Sequence, residues 1–192
     1  MLTFNDETHE YFWNGEKVPY SVTGILKVSG LIDTTWYNEP ARVRGTYVHE
    51  ATQFLDEDCL EWDSLDPVIT PYVEAYARFK TESKFHVKRI EERVYTELYH
   101  YAGTLDRIGD INGQEVLLDI KTSEGSPQAW WGPQLSGYNI ALGLALPRFS
   151  LQLKRDGTYK LTQFKDPMDN QIFLASNNLV RWKDAKGYKN AD

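Results

Sequence analysis

The stretch Gly103–Ser123, GTLDRIGDINGQEVLLDIKTS, decides how the rest of the chain is read. Asn112-Gly113 is the strongest short-range signal for a two-residue hairpin turn, because both residues tolerate the positive φ such a turn requires. With Ile111 set opposite Gln114, an antiparallel count outward places Ile108 opposite Leu117, Asp106 opposite Asp119 and Thr104 opposite Lys121. Directly opposed β-carbons lie about 4.5–5.5 Å apart, so two carboxylates there destabilise the sheet unless a proton or cation stands between them. Lys121, two residues beyond Asp119, points to the same face. The run Val116, Leu117, Leu118 and Ile120 sends apolar side chains to both faces, as in a central strand. The register therefore asks for a cation beside Asp106, Asp119 and Lys121, in a place at least partly buried.

Composition narrows what such a site can be. The 192 residues, 14% of them aromatic, predict one domain with a sizeable core. Within it, residues 1–83 supply a short hairpin and helices, 84–185 a sheet with flanking helices, and 186–192 a tail; KDAKGYKNAD is expected to fray. There is no apolar run long enough to span a bilayer, and MLTFNDETHEYFWNG has neither a basic leader nor an apolar signal core, which predicts a cytoplasmic protein without membrane contact. Cys59 is the only cysteine. An internal disulfide, a cysteine-rich zinc site and an iron–sulfur cluster built from this chain's own thiolates are thereby excluded, and a metal must use oxygen and imidazole ligands. The net charge of −7 counts against non-specific coating of nucleic acid, which draws on lysine and arginine displacing counterions from phosphates. Local basic surfaces remain open: Arg42, Arg44, Arg107, Lys121, Lys154, Arg155 and Lys160 could line one cleft.

Along the chain, EYFWNGEKVPY alternates aromatics around Asn14-Gly15 and predicts a small hairpin, and YSVTGILKVSG begins a helix capped by Ser21. A longer helix is expected over Pro40–Asp58, with Val48, Ala51 and Leu55 as its buried stripe, and another over Asp66–Ser83. HVKRIEERVYTEL is a strand, followed by the two arms of the Asn112-Gly113 hairpin. Ser126-Pro127 reads as a helix start, and Pro133 either kinks that helix or begins a second one through Leu146. PRFSLQLKRDGTYKLTQF is a hairpin turning at Asp156-Gly157, and PMDNQIFLASNNLVRWKDA a closing helix. The order predicts a mixed α/β fold around a central sheet.

Together these segments resemble the PD-(D/E)XK nucleases, in the RecB-type exonuclease branch that includes many phage enzymes and the CRISPR-associated end-processing nucleases. The likeness covers most of the chain and rests on SVTGIL, RGTYVHEAT, GTLDRI, LLDIKT and QLSGY, all in the family's order. It implies a restriction-endonuclease-like core, a central mixed sheet flanked by helices. It makes Asp106 and Asp119 the metal-binding carboxylates and Lys121 the lysine of the D-x-K signature, and adds His49 and Ile120 to the metal set. Gly45, one turn before His49, would let that helix approach the sheet closely. Gln134 and Tyr138, four apart on a helix, match a Q-x-x-x-Y pair that lies near the scissile phosphate and the D-x-K lysine. Tyr138 also falls on a stripe with Leu135, Leu142 and Leu146 and so fits a core position equally. Glu91, with Glu92 beside it, matches an acidic position of the family. Trp130-Trp131 could stack on unpaired bases but reads as core and is left out of the site. Arg107 and Lys154 are taken as DNA contacts; His9, His86 and His100 have no comparable role.

Hard oxygen donors with one imidazole suit Mg²⁺ or Mn²⁺. The cluster-binding cysteines of the CRISPR-associated members are missing, so no iron–sulfur cluster is implied. The resemblance implies a divalent-metal-dependent DNA nuclease, an exonuclease acting from DNA ends in phage or bacterial recombination or repair. DNA is its partner, with a recombination or single-strand-binding protein beside it; oligomeric state is not legible. A structure- or sequence-specific endonuclease on the same fold, and an inactive module that holds DNA ends, are the alternatives.

Overall fold

A computed structural model describes residues 1–33 and 38–188. The end of the expected tail, 189–192, lies outside the described residues. The hairpin forms as counted: β6 (Tyr101–Ile111) and β7 (Gln114–Lys121) turn at Asn112 and Gly113, with φ of 53° and 83°. Ile111 faces Gln114 and Ile108 faces Leu117. Earlier in the chain, β1 (Leu2–Asn5), β2 (Glu10–Trp13) and β3 (Glu16–Lys17) make a small separate sheet, turning at Asn14-Gly15 between the last two. The strand β1 was not expected from its sequence.

Four further strands extend the hairpin into a six-stranded mixed sheet. β5 (His86–Thr96) runs antiparallel along one edge of β6 from Tyr101 to Asp110. On its other edge β7 pairs in parallel with β8 (Arg148–Leu153), which the chain reaches only after a long crossover, and β9 (Tyr159–Phe164) returns antiparallel to β8. β4 (Tyr20–Ser21) lies parallel to β6 at Tyr101 and Ala102. With β5 on one edge of β6, the other edge carries β4 at 101–102 and β7 at 107–111. Between them is a gap at residues 103–106, and the site occupies it.

Helices cover both faces. On one lie α2 (Glu39–Asp56) and α3 (Thr70–Ser83), where Val73, Tyr76 and Phe79 pack with Leu118, Ile120 and Leu151. On the other are α1 (Val22–Val28), α4 (Trp131–Leu142) and α5 (Met168–Ala185), where Ile25, Leu135 and Phe173 pack with Ile108 and Leu117. Leu117 and Leu118, adjacent and both fully buried, show that β7 is the central strand its apolar run predicts. Each such leucine contributes about 1.5–3 kcal/mol by leaving water.

Element ends differ from the expectations for local reasons. Ser21 caps α1 as expected, its Oγ accepting the N–H of Gly24 at 3.0 Å. α3 starts at Thr70 instead of Asp66, because the Asp66 carboxylate accepts the N–H of Val68 and forms a turn there. α4 starts at Trp131, so Pro133 falls in its first turn, where a missing N–H breaks no helical bond. It ends at Leu142, short of Leu146, because Gly143 turns left-handed at φ 66°. Among the described residues no helix is long and apolar enough to cross a membrane.

Candidate active site

The β6–β7 ladder stops at Arg107–Leu118, one step short of Asp106 and Asp119. The expected direct pairing of those two, and of Thr104 with Lys121, is therefore replaced by a splayed arrangement. In an unbroken hairpin Ile120 would exchange both main-chain bonds with Leu105. Instead its N–H donates to Asp106 Oδ2 at 2.6 Å, and its carbonyl oxygen lies 3.1 Å from His49 Nε2. Leu105 and Thr104 pair with β5, and the Thr104 hydroxyl meets the Tyr11 hydroxyl at 2.8 Å. The side chains of the site thus take over the main-chain groups that the open ladder releases, which keeps buried peptide groups satisfied.

His49 reaches the gap from α2. Its Nδ1 lies 3.6 Å from Asp106 Oδ1 and 3.9 Å from Glu91 Oε1. The ligand atoms of His49, Glu91 and Asp106 all lie within 4.8 Å of one another. Glu91 has a left-handed backbone, φ 46°, at the β5 position facing Asp106, where the β5–β6 pairing is interrupted. A non-glycine residue there is strained by of order 1–3 kcal/mol, and such strain is held in place by surrounding contacts. Here the contact is Arg107, whose Nη1 donates to Glu91 Oε1 at 2.9 Å while its Nε bonds Asp56 Oδ2 at 2.6 Å.

Charge accumulates in this space. Asp106 and Asp119 are 9% and 3% exposed, and burial, with the mutual repulsion of neighbouring carboxylates, holds both above the ordinary range. Burial of the His49 ring disfavours its charged form, but Asp106, then Glu91 and Asp119, outweigh it and lift the group to about 9. Asp119 Oδ2 lies 2.6 Å from Lys121 Nζ, an ion pair without directed hydrogen-bond geometry. The site is short of positive charge, and a proton on His49 supplies part of it.

The far wall is α4. Gln134 Oε1 accepts from Lys121 Nζ at 2.9 Å, and Gln134 Nε2 reaches the Tyr138 hydroxyl at 3.3 Å and Thr23 Oγ1 at 3.4 Å. Tyr138 is both things its sequence position allowed, packed in the core beside α1 and bonded to Gln134. Burial and the two aspartates keep its phenol protonated well above the ordinary range, so it acts as a neutral partner. His49, Asp106, Asp119, Ile120, Lys121, Gln134 and Tyr138 all line one cleft of about 590 Å³.

No protein-family model matches the chain, and no curated protein matches its sequence. Solved structures do. A candidate exonuclease from Eubacterium rectale has a TM-score of 0.53 at 16% identity, over 90% of this chain and 77% of that one. An alkaline exonuclease from Laribacter hongkongensis gives 0.43 at 14% identity, over 89% of this chain and 94% of its own. Its complex with dAMP gives 0.44 at 16%, over 90% and 94%. The first likeness and the sheet order agree with the expected architecture. This is the restriction-endonuclease-like fold.

Within that fold some expected residues stand elsewhere. Arg107, expected as a DNA contact, is 0% exposed and bound to Asp56, Glu91, Thr52 and its neighbour's carbonyl. The arginine faces the α2 side because it sits opposite Leu118, whose side chain belongs to that core. Of the basic residues expected in one cleft, Arg42, Arg44 and Lys121 line it, and Arg107, Lys154, Arg155 and Lys160 do not. Lys154 instead ties the loop after β7, within 3.4 Å of the Ser123 carbonyl and 3.8 Å of Glu124. A β-carbon on Gly45 would meet Thr122 Oγ1 at an ordinary 3.5 Å, so the approach of α2 does not require glycine there. Thr23 was missed, although it lies inside SVTGIL, because one hydroxyl on a short helix carries no signal of its own. Trp131 is core as read, yet it lines the cleft together with the less buried Trp130, with Lys121 Nζ 5.6 Å and 5.2 Å from their ring centres.

Proposed function

We propose that the chain is a divalent-metal-dependent DNA nuclease that hydrolyses phosphodiester bonds from DNA ends. The observation that carries the reading is the convergence of His49, Asp106, Asp119, Lys121 and Gln134 on the gap between β4 and β7. His49, Glu91 and Asp106, with Asp119 and the Ile120 carbonyl beside them, would hold the ion; one imidazole among hard oxygens fits Mg²⁺ or Mn²⁺. When bound, such a cation neutralises charge gathering on the phosphate and makes a nearby water a better nucleophile.

The chain's own groups supply the rest. Lys121, steered by Gln134 Oε1 and Asp119 Oδ2, offers its ammonium to the attacking water or to a phosphate oxygen. Thr23 and Tyr138 fix the Gln134 amide so that its oxygen faces Lys121. Arg44, whose Nη2 donates to the Thr122 carbonyl at 3.3 Å, and Arg42 bring positive charge to the cleft wall for the DNA backbone. Lys154 belongs to the same proposal as a contact beside the Ser123 loop. Because α2 comes from the 1–83 segment and β6, β7 and α4 from 84–185, the site supports treating the chain as one nuclease unit. The exonuclease designation of the E. rectale protein favours action from ends, and a bacterial or phage recombination or repair setting goes with it.

The test is incubation of linear and covalently closed circular DNA with Mn²⁺, with and without a chelator, using wild type and Lys121→Ala. Linear DNA should be degraded to short products, closed circles should survive until nicked, and the variant should be slower by about 10³-fold or more. Equal cutting of closed circles makes this an endonuclease on the same site. No cutting of either DNA overturns the enzymatic reading and leaves a DNA-end-binding module.

A further inference from the structure

Trp130 has the look of half a buried tryptophan pair, yet only its neighbour is buried. Trp131 is 2% exposed and stands edge-on to Trp130, with ring centres 6.1 Å apart and planes at 89°. Trp130 is half-buried and keeps part of its surface in the cleft. We infer that Trp130 is a stacking platform for an unpaired base next to the scissile phosphate, so that the site takes a strand end peeled out of the duplex. The inference rests on the nuclease reading above.

Position argues for it first. Trp130, the N-cap residue of α4, stands four residues before Gln134 and eight before Tyr138 and so continues their stripe, and the Gln134 N–H donates to the Trp130 carbonyl at 3.0 Å. Lys121 Nζ, the group that addresses the phosphate, is 5.2 Å from the Trp130 ring centre. The ring thus stands within a nucleoside's reach of the reacting atoms, with the more deeply buried Trp131 edge-on beside it. Size argues for it next. A cleft of about 590 Å³ has room for a nucleotide or two beside the ring. Chemistry completes it. Inside a duplex each base is covered on both faces by its neighbours, so only an unstacked base can lie on an indole; every base has such a face, so the contact tolerates any sequence.

The experiment compares three linear DNAs of one sequence: a single strand, a duplex with a mismatched, frayed end, and a blunt duplex. Steady-state cleavage is measured for wild type, Trp130→Ala and Trp130→Phe. Wild type should show a KM about tenfold lower on the first two than on the blunt duplex. Trp130→Ala should erase that preference, with the loss falling mainly on KM, and Trp130→Phe should keep most of it. A merely structural tryptophan would slow all three substrates alike and leave their ratio untouched. That result, or a wild type without preference, overturns the inference while the nuclease reading stands. If wild type cuts none of the three, the nuclease reading falls, and fluorescence anisotropy on the same labelled DNAs decides on Trp130. The same order of affinity, lost in Trp130→Ala, supports stacking; equal affinities overturn it.

Discussion

At the scale of single residues, Arg107 shows how a buried charge can hold the wall of a site in place. It is fully buried beside an equally buried Asp56, which also accepts from the Tyr76 hydroxyl at 2.8 Å and Lys80 Nζ at 2.7 Å. Removing one member of such a set strands the others, and costs about 3–5 kcal/mol. Arg107→Met should therefore lower stability by that amount in urea melts, with Arg107→Lys, which keeps the charge and loses the fork, in between. A second consequence separates this role from the DNA contact its sequence position suggested. Removing a side chain that binds a phosphate would reduce the slope of log affinity against log salt by about one. Arg107→Met, which removes the charge, should leave that slope unchanged when measured under conditions where the variant stays folded. If the slope drops while stability holds, Arg107 touches DNA after all.

At the scale of elements, the β2–β3 hairpin and the strands β5 to β9 were legible because turns and patterning are local, whereas β1 and β4 were not. Asn112-Gly113 fixed the hairpin, and the alternation that makes Leu117 and Leu118 face opposite cores fixed β7 as central. The place where the ladder opens was not legible, because the β4–β6 contact that bounds the gap is made by two residues far away in sequence. For the same reason Asp106, Asp119, Lys121 and His49 could be named from motifs, while Trp130, Thr23 and the burial of Arg107 depend on how α4, α1 and α2 pack. Gly103 tests that packing directly. A β-carbon there would stand 2.8 Å from Tyr138 Cε1 and 3.0 Å from Val22 Cγ2, so α4 and α1 come this near β6 only over a glycine. Gly103→Ala should cost about 1–3 kcal/mol through overpacking and, by displacing Tyr138, slow cleavage as well. In a double-mutant cycle with Tyr138→Ala the two losses should fall short of additive by about 1 kcal/mol or more. Additive losses would mean that the two positions do not press on each other.

At the scale of the whole molecule, folding draws Glu91, Asp106 and Asp119 together in a chain of net charge −7. The native state holds protons on Asp106 and Asp119 more tightly than the unfolded chain does, burial being the main cause, and it holds the His49 proton to about 9 instead of 6.5. All three shifts have one sign, so the metal-free protein loses stability as pH rises. The carboxylate contribution fades from about pH 4 up to their raised native values, and that of His49, complete below about 6.5, is lost as pH climbs through about 9. On the proposed metal site a divalent cation would take over the work of those protons and would have to displace the one on His49, so its affinity should rise with pH. At a hundred times its Kd it adds about 2.7 kcal/mol by mass action, about 5–10 °C in Tm for a chain of this size. The Tm gain from Mg²⁺ should therefore be larger near about pH 8.5 than near about pH 6, and Asp106→Asn, which keeps the shape of the side chain and removes a ligand charge, should forfeit most of it. Equal gains in both proteins, or a gain indifferent to pH, would place the cation outside the gap in β6, and the carboxylates there would need another partner.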